Sequence, residues 1–142
     1  MDTNELNIYE NLKRVYICHP YRNDPVKNVK KVEQIVIDIG LASAESHTNV
    51  TTMERLAGTY TLDYPGSPWG NFIVPVAPMT AFPMGMSEVG DKPITDEQGM
   101  AFCFSLLFSC HELWIYAKTP TSGMIQEIEA ASRWSIPVIW KV

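Results

Sequence analysis

The segment Thr119-Pro120-Thr121-Ser122-Gly123-Met124-Ile125-Gln126-Glu127-Ile128-Glu129-Ala130-Ala131 concentrates groups that can bind and react. Thr121 or Ser122 can cap a helix, Gly123 lets a ligand approach the backbone, and the first free amides with the helix dipole attract an anion. Glu127 lies just over one turn inside that helix. Its neighbours at helical spacing are Gly123, Met124, Ala130 and Ala131, none of which can neutralise it. Glu129 has Arg133 at the next-turn position, the spacing of an ordinary exposed ion pair. An unpaired carboxylate near a helix N-terminus can attack an electrophilic sugar carbon. The plainer alternative is a glutamate that points to water.

A second group of reactive side chains follows the apolar run Val15-Tyr16-Ile17-Cys18. His19-Pro20-Tyr21-Arg22-Asn23-Asp24 combines an imidazole, a phenol, a guanidinium and a carboxylate. Arg22 can hold a phosphate bidentately and Tyr21 can stack on a base. A solvated turn with Arg22 paired to Asp24 is the competing reading. A third loop, Pro78-Met79-Thr80-Ala81-Phe82-Pro83-Met84-Gly85-Met86, is apolar, suited to covering a core or interface or to flooring a base pocket. Cys18-His19 and Cys110-His111 invite a metal reading. Adjacent strand residues face opposite ways, however, and no CxxC or HExxH spacing is present, so neither metal nor cofactor is expected.

These loops need elements to hold them. Val15 to Cys18 reads as a strand, and residues 26–42 as an amphipathic helix with Val29, Val32, Val36 and Ile39 on one face, closed near Gly40. Phe72 to Val76 is a second strand whose Pro75 marks an end or irregular point. Asp96 to Ser109 is a helix, Leu113 to Tyr116 a strand, Ser122 to about Ser135 a helix, and Val138 to Trp140 a final strand. Strands separated by helices pair in parallel through right-handed crossovers. The expected fold is α/β, a Rossmann-like three-layer sandwich with a mostly parallel sheet of four to five strands. Ligands then sit beyond the carboxyl ends of the strands, at Cys18, Val76 and Tyr116. Residues 44–70 interrupt the alternation as an insertion, with a short helix expected around Thr52 to Leu56.

The whole chain bounds these readings. Its 142 residues, 46% hydrophobic and 19% charged, make one globular domain spanning 1–142. A formal charge of -5 argues against a nucleic-acid backbone or an anionic membrane as partner. No signal peptide and no run of about 18 apolar residues is visible, and three cysteines do not make a disulfide framework. A cytoplasmic protein is the expectation. Ten prolines and four tryptophans are many for this length. They cluster between Pro65 and Pro93 and near the C-terminal end.

Taken together, Val15 to Asp24 with Asn28, then Pro75-Val76-Ala77-Pro78, Cys110 to Tyr116, Ser122-Gly123-Met124 with Glu127, and Ile136-Pro137-Val138 resemble the nucleoside 2-deoxyribosyltransferase-like superfamily. The resemblance is nearest to its small DUF4406-type members, many encoded by phages and Gram-positive bacteria. It covers the chain except residues 1–10 and about 44–70. It implies an enzyme that cleaves or exchanges an N-glycosidic bond, as N-glycosidase or deoxyribosyltransferase, with Glu127 as nucleophile, and it implies a homo-oligomer. Ser122 and the Gly123 and Met124 amides would meet a 5′-hydroxyl or phosphate. Tyr16, His19, Tyr21, Arg22, Asn28, Pro78 and Met79 would line the rest of the nucleoside or nucleotide site. Two departures stand out. Cys103 occupies the place of an assisting aspartate, and His111 that of an acid after Cys110; Glu88, Asp91 and Asp96 are the acids in range to replace them. The alternative is a non-catalytic protein that binds a nucleotide signal, as a phage counter-defence sponge or sensor would. A third reading makes the Pro, Met and Trp surface an assembly interface alone.

Overall fold

The computed structural model describes residues 12–21, 24–48, 72–81, 88–89, 92–93 and 95–142. Its first strand, β1 (Lys13–Cys18), runs through four buried residues, Val15 to Cys18. Helix α1 (Pro25–Thr48) follows. Asp24 starts it, the Asp24 side chain accepting from the Lys27 amide at 3.3 Å and its carbonyl from the Asn28 amide at 2.9 Å. Pro25 then stands at the first helical position, where a missing N–H costs nothing.

The expected closure near Gly40 does not occur, and the helix continues to Thr48. One interior glycine costs only about 1 kcal/mol, and the following turn is anchored. The buried Ser43 hydroxyl donates to the Ile73 carbonyl at 3.0 Å and accepts the Ile73 amide at 2.9 Å. Residues 44–48 of the expected insertion therefore belong to α1; residues 49–71, with the helix expected at Thr52 to Leu56, lie outside the described residues.

Strand β2 (Ile73–Val76) leads into a short helix, α2 (Pro78–Ala81), where a loop is expected from sequence. The Thr80 amide and hydroxyl both donate to the Ala77 carbonyl, which closes that turn. A two-residue ladder of β3 (Glu88–Val89) and β4 (Lys92–Pro93) was not foreseeable from periodicity, since two residues carry none. Helix α3 (Asp96–Phe108) opens on a reciprocal cap. Thr95 Oγ1 accepts from the Gln98 amide and Gln98 Oε1 from the Thr95 amide. Strand β5 (Glu112–Ile115), helix α4 (Ser122–Arg133) and strand β6 (Val138–Trp140) complete the chain.

The main sheet has the order β2-β1-β5-β6 and every pair in it is parallel. Pro75 sits on an edge strand, where its missing N–H breaks no ladder. The alternation of β1 divides the interior. Val15 and Ile17 pack with Val32, Ala77 and Trp114 on the α1 face. Tyr16 and Cys18 pack with Leu107, Leu113, Ile115, Met124, Ala130 and Ala131 on the face covered by α3 and α4. This is an α/β, Rossmann-like three-layer arrangement with a four-stranded parallel sheet. The order of connection reverses at β1, with β2 on one side of it and β5 on the other, and such a switch point is where open α/β sheets hold ligands beyond the carboxyl ends of their strands.

Candidate functional site

The candidate site is built on β1, whose alternation sends Tyr16 and Cys18 toward α3 and α4. Helix α4 brings Glu127 against them. Thr121 is its N-cap; Thr121 Oγ1 accepts the Met124 amide at 3.3 Å. That cap uses the Met124 amide, and the Met124 side chain is 1% exposed within the core. Ser122 and Gly123, at the first two helical positions, retain outward amides by helix geometry. A Cβ placed on Gly123 would meet nothing within 4 Å, so packing does not require glycine there.

Glu127 is half-buried, one turn farther in. Burial pushes its carboxyl up to about 7, and the Tyr16 hydroxyl partly opposes that rise by favouring the ionised form. No cation contributes. Tyr16 is fully buried, and its hydroxyl has no partner in hydrogen-bond geometry among the described residues. Burial, then Glu127 and Cys103, hold that phenol well above its usual range. Tyr16 and Glu127 therefore face each other without a finished hydrogen bond, an arrangement that tightens when charge or substrate arrives. Cys103 lies in the same group; burial first and Glu127 second push its thiol up to about 11. The Cys18 thiol is raised by burial, Glu127 and Cys103. All three cysteines are free thiols.

The structure thus gathers Tyr16, Cys18, Cys103 and Glu127 at one place. The resemblance implies Cys103 beside Glu127, but sequence reasoning did not foresee the Cys18 thiol there, although the period-two alternation of β1 already puts positions 16 and 18 on one face. Other candidates lie elsewhere. His19 is 9% exposed, and its Nδ1 donates to the Pro20 carbonyl at 2.8 Å, which leaves Nε2 as the acceptor of the neutral ring. Burial lowers its pKa, the Pro20 contact raises it and Lys31 lowers it. Asn28 is 5% exposed and donates from Nδ2 to the Tyr21 carbonyl at 3.0 Å, tying the first loop to α1. Pro78 is half-buried on α2, and Met79 packs with the cluster on the α1 face, opposite the Tyr16 and Glu127 face. Arg22 lies outside the described residues, as do Asp91 and the side chains of Glu88 and Asp96.

One further expectation changes. Glu129 and Arg133 are both exposed and form no ion pair among the described residues, as suits two long side chains whose ordering a surface contact barely offsets. The Cys-His pairs stand at opposite ends of the sheet. Cys18 and His19 follow the end of β1, whereas Cys110 and His111 precede the start of β5, which runs parallel to it. His111 there is structural: its Nδ1 accepts the Arg14 amide at 2.9 Å and its own amide donates to the Arg14 carbonyl at 2.8 Å. No group of three or more His, Cys, Asp or Glu placed to hold a metal occurs among the described residues. Nor is any described helix long and apolar enough to cross a membrane.

No curated protein and no solved structure matches the chain. A domain family of unknown function, DUF7768, matches residues 69–141, a stretch that takes in β2 to β6 with both Cys103 and Glu127. Since that match spans just over half of the sequence, the chain belongs to the DUF7768 family.

Proposed function

We propose that this candidate site binds a nucleoside or nucleotide and cleaves or exchanges its N-glycosidic bond, as the nucleoside 2-deoxyribosyltransferase-like resemblance implies. One observation carries the reading: Glu127 presents a carboxyl without a countercharge against an unsatisfied, buried Tyr16 hydroxyl, beside the open helix end at Ser122 and Gly123. The Glu127 carboxylate attacks C1′, forming a C1′–O bond as the C1′–N bond breaks. The base leaves with the bonding electron pair and takes up a proton. Water or a second base then attacks C1′ and releases Glu127. The developing positive charge on the sugar is stabilised by the carboxylate, and the Tyr16 hydroxyl orients it.

Cys103 favours a second reading. A thiol held neutral up to about 11 supplies no carboxylate charge in the place of the assisting aspartate, which suits a non-catalytic protein that binds a nucleotide signal. Incubation with nucleosides, deoxynucleosides, nucleotides and cyclic ADP-ribose-like signals, followed by chromatography, separates the two. Free base with the wild type and none with Glu127→Gln supports the enzyme; intact ligand recovered after denaturation supports the sponge. Neither turnover nor binding would sink both. We further assign the chain to the cytoplasm, because its three free thiols suit a reducing compartment, and to a homo-oligomer that takes small molecules rather than nucleic acid.

A further inference from the structure

Helix α1 carries more apolar surface than the sheet can cover. Val32, Ile35, Val36 and Ile39 pack inward on the α1-face cluster. A second stripe, turned nearly halfway around the helix, leaves Val26 71%, Ile37 51% and Leu41 66% exposed. Between this stripe and α2 runs an open groove of about 690 Å³ lined by Val26, Val29, Lys30, Glu33, Ile37 and Met79, among others. A Cβ placed on Gly40, three residues beyond Ile37, would meet nothing within 4 Å among the described residues.

We infer that this face binds a second copy of the chain, with the two α1 helices antiparallel about a two-fold axis. The spacing of Val26, Lys30, Glu33 and Ile37, four, three and four residues, is that of alternating d and a positions in a helix-packing seam. In an antiparallel pair each a residue meets a d residue of the partner. A two-fold axis between positions 31 and 32 then sets Val26 against Ile37 and Lys30 against Glu33, each contact occurring twice. Apolar meets apolar, and cation meets anion. Lys30 and Glu33 are exposed and have no ion-pair partner among the described residues, so both charges are available for that contact. An isologous patch of this kind closes as a dimer rather than recruiting further copies end to end. The inference is independent of the chemistry proposed at Glu127.

Charge reversal tests it. Lys30→Glu places two acidic pairs across the axis, and Glu33→Lys two basic pairs, so each variant should run as a monomer in light scattering where the wild type runs at twice 16.0 kDa. An equimolar mixture of the two variants restores both opposite-charge contacts and should recover the dimer. Dissociation constants of the single variants should rise at least tenfold, with thermal unfolding of the monomer unchanged because both side chains are exposed. A wild type that stays monomeric at its highest soluble concentration overturns the inference. So does a dimer indifferent to both reversals, or a mixture that does not reassociate. Ile37→Glu gives an independent check, since it removes an apolar contact without touching the charges and should also yield monomer.

Discussion

Between its ordinary value of 4.5 and about 7, the Glu127 carboxyl keeps its proton in the folded chain while the unfolded chain releases it. The native state then holds more protons, so stability falls as pH rises through that window, and the loss is complete above it. Glu127→Gln removes the buried charge. Urea unfolding should show the variant more stable than the wild type by about 1–3 kcal/mol at pH 8 and nearly equal to it at pH 4.5. Equal effects at both pH values would show that the carboxyl is not desolvated. Base release, which needs the carboxylate, should rise through the same pH window in the wild type and fall by three or more orders of magnitude in the variant. Gly123 offers the complementary case. Gly123→Ala should leave stability unchanged or raise it by about 0.5–1 kcal/mol, because the helix gains propensity and the site has room. Ligand affinity should nonetheless drop, as the methyl group keeps a ligand from the helix amides; undiminished affinity in a binding titration would remove Gly123 from the site. Sequence made Glu127 conspicuous through its neighbours Ala130 and Ala131, both fully buried here. Its contacts with Tyr16 on β1, more than 100 residues away, and with Cys103 on α3 were not legible in local spacing.

At the scale of elements, α4 ends with Ser135 at φ 57°, a left-handed conformation that favours glycine. The Ile136 amide donates to the Ala131 carbonyl at 2.8 Å and the Ser135 amide to the Ser132 carbonyl at 3.3 Å, so the pattern of a glycine-type helix terminus is complete without the glycine. Ser135→Gly should therefore raise stability by about 0.5–1 kcal/mol, visible as a higher thermal midpoint with unchanged fold. A decrease would mean that the Ser135 side chain supports the turn. The same turn seats Trp134 edge-on to Phe104 and Phe108, with ring centroids 5.9 and 5.3 Å away. Element starts were legible at Asp96, Ser122 and Val138, where the expected and observed first residues coincide. The continuation of α1 past Gly40 was not legible, because what holds the helix beyond it is Ser43 bonding to Ile73, a partner 30 residues away. Pro78 likewise reads as a loop from composition, and only the Ala77 carbonyl, taken up twice by Thr80, turns it into a helical turn.

Across the whole molecule, one sheet separates two apolar clusters, and their independence can be tested. Val32, fully buried under α1, and Leu107, fully buried under α3, lie on opposite faces. Leu107→Ala should cost about 2–5 kcal/mol and Val32→Ala somewhat less, and the double variant should lose the sum within about 0.5 kcal/mol in denaturant unfolding. A marked shortfall would show that the faces communicate through β1. Sequence by itself determined that this chain alternates strands and helices, that its strands pair in parallel, and that Glu127 has no local countercharge. Those properties follow from period, capping chemistry and spacing within a few residues. Tertiary structure alone decided the strand order β2-β1-β5-β6 and the company Glu127 keeps beside β1. It also sent Met79 to the opposite face and the two Cys-His pairs to opposite ends of the sheet. Strand order and packing depend on contacts between residues far apart in the chain, and local spacing carries no record of them.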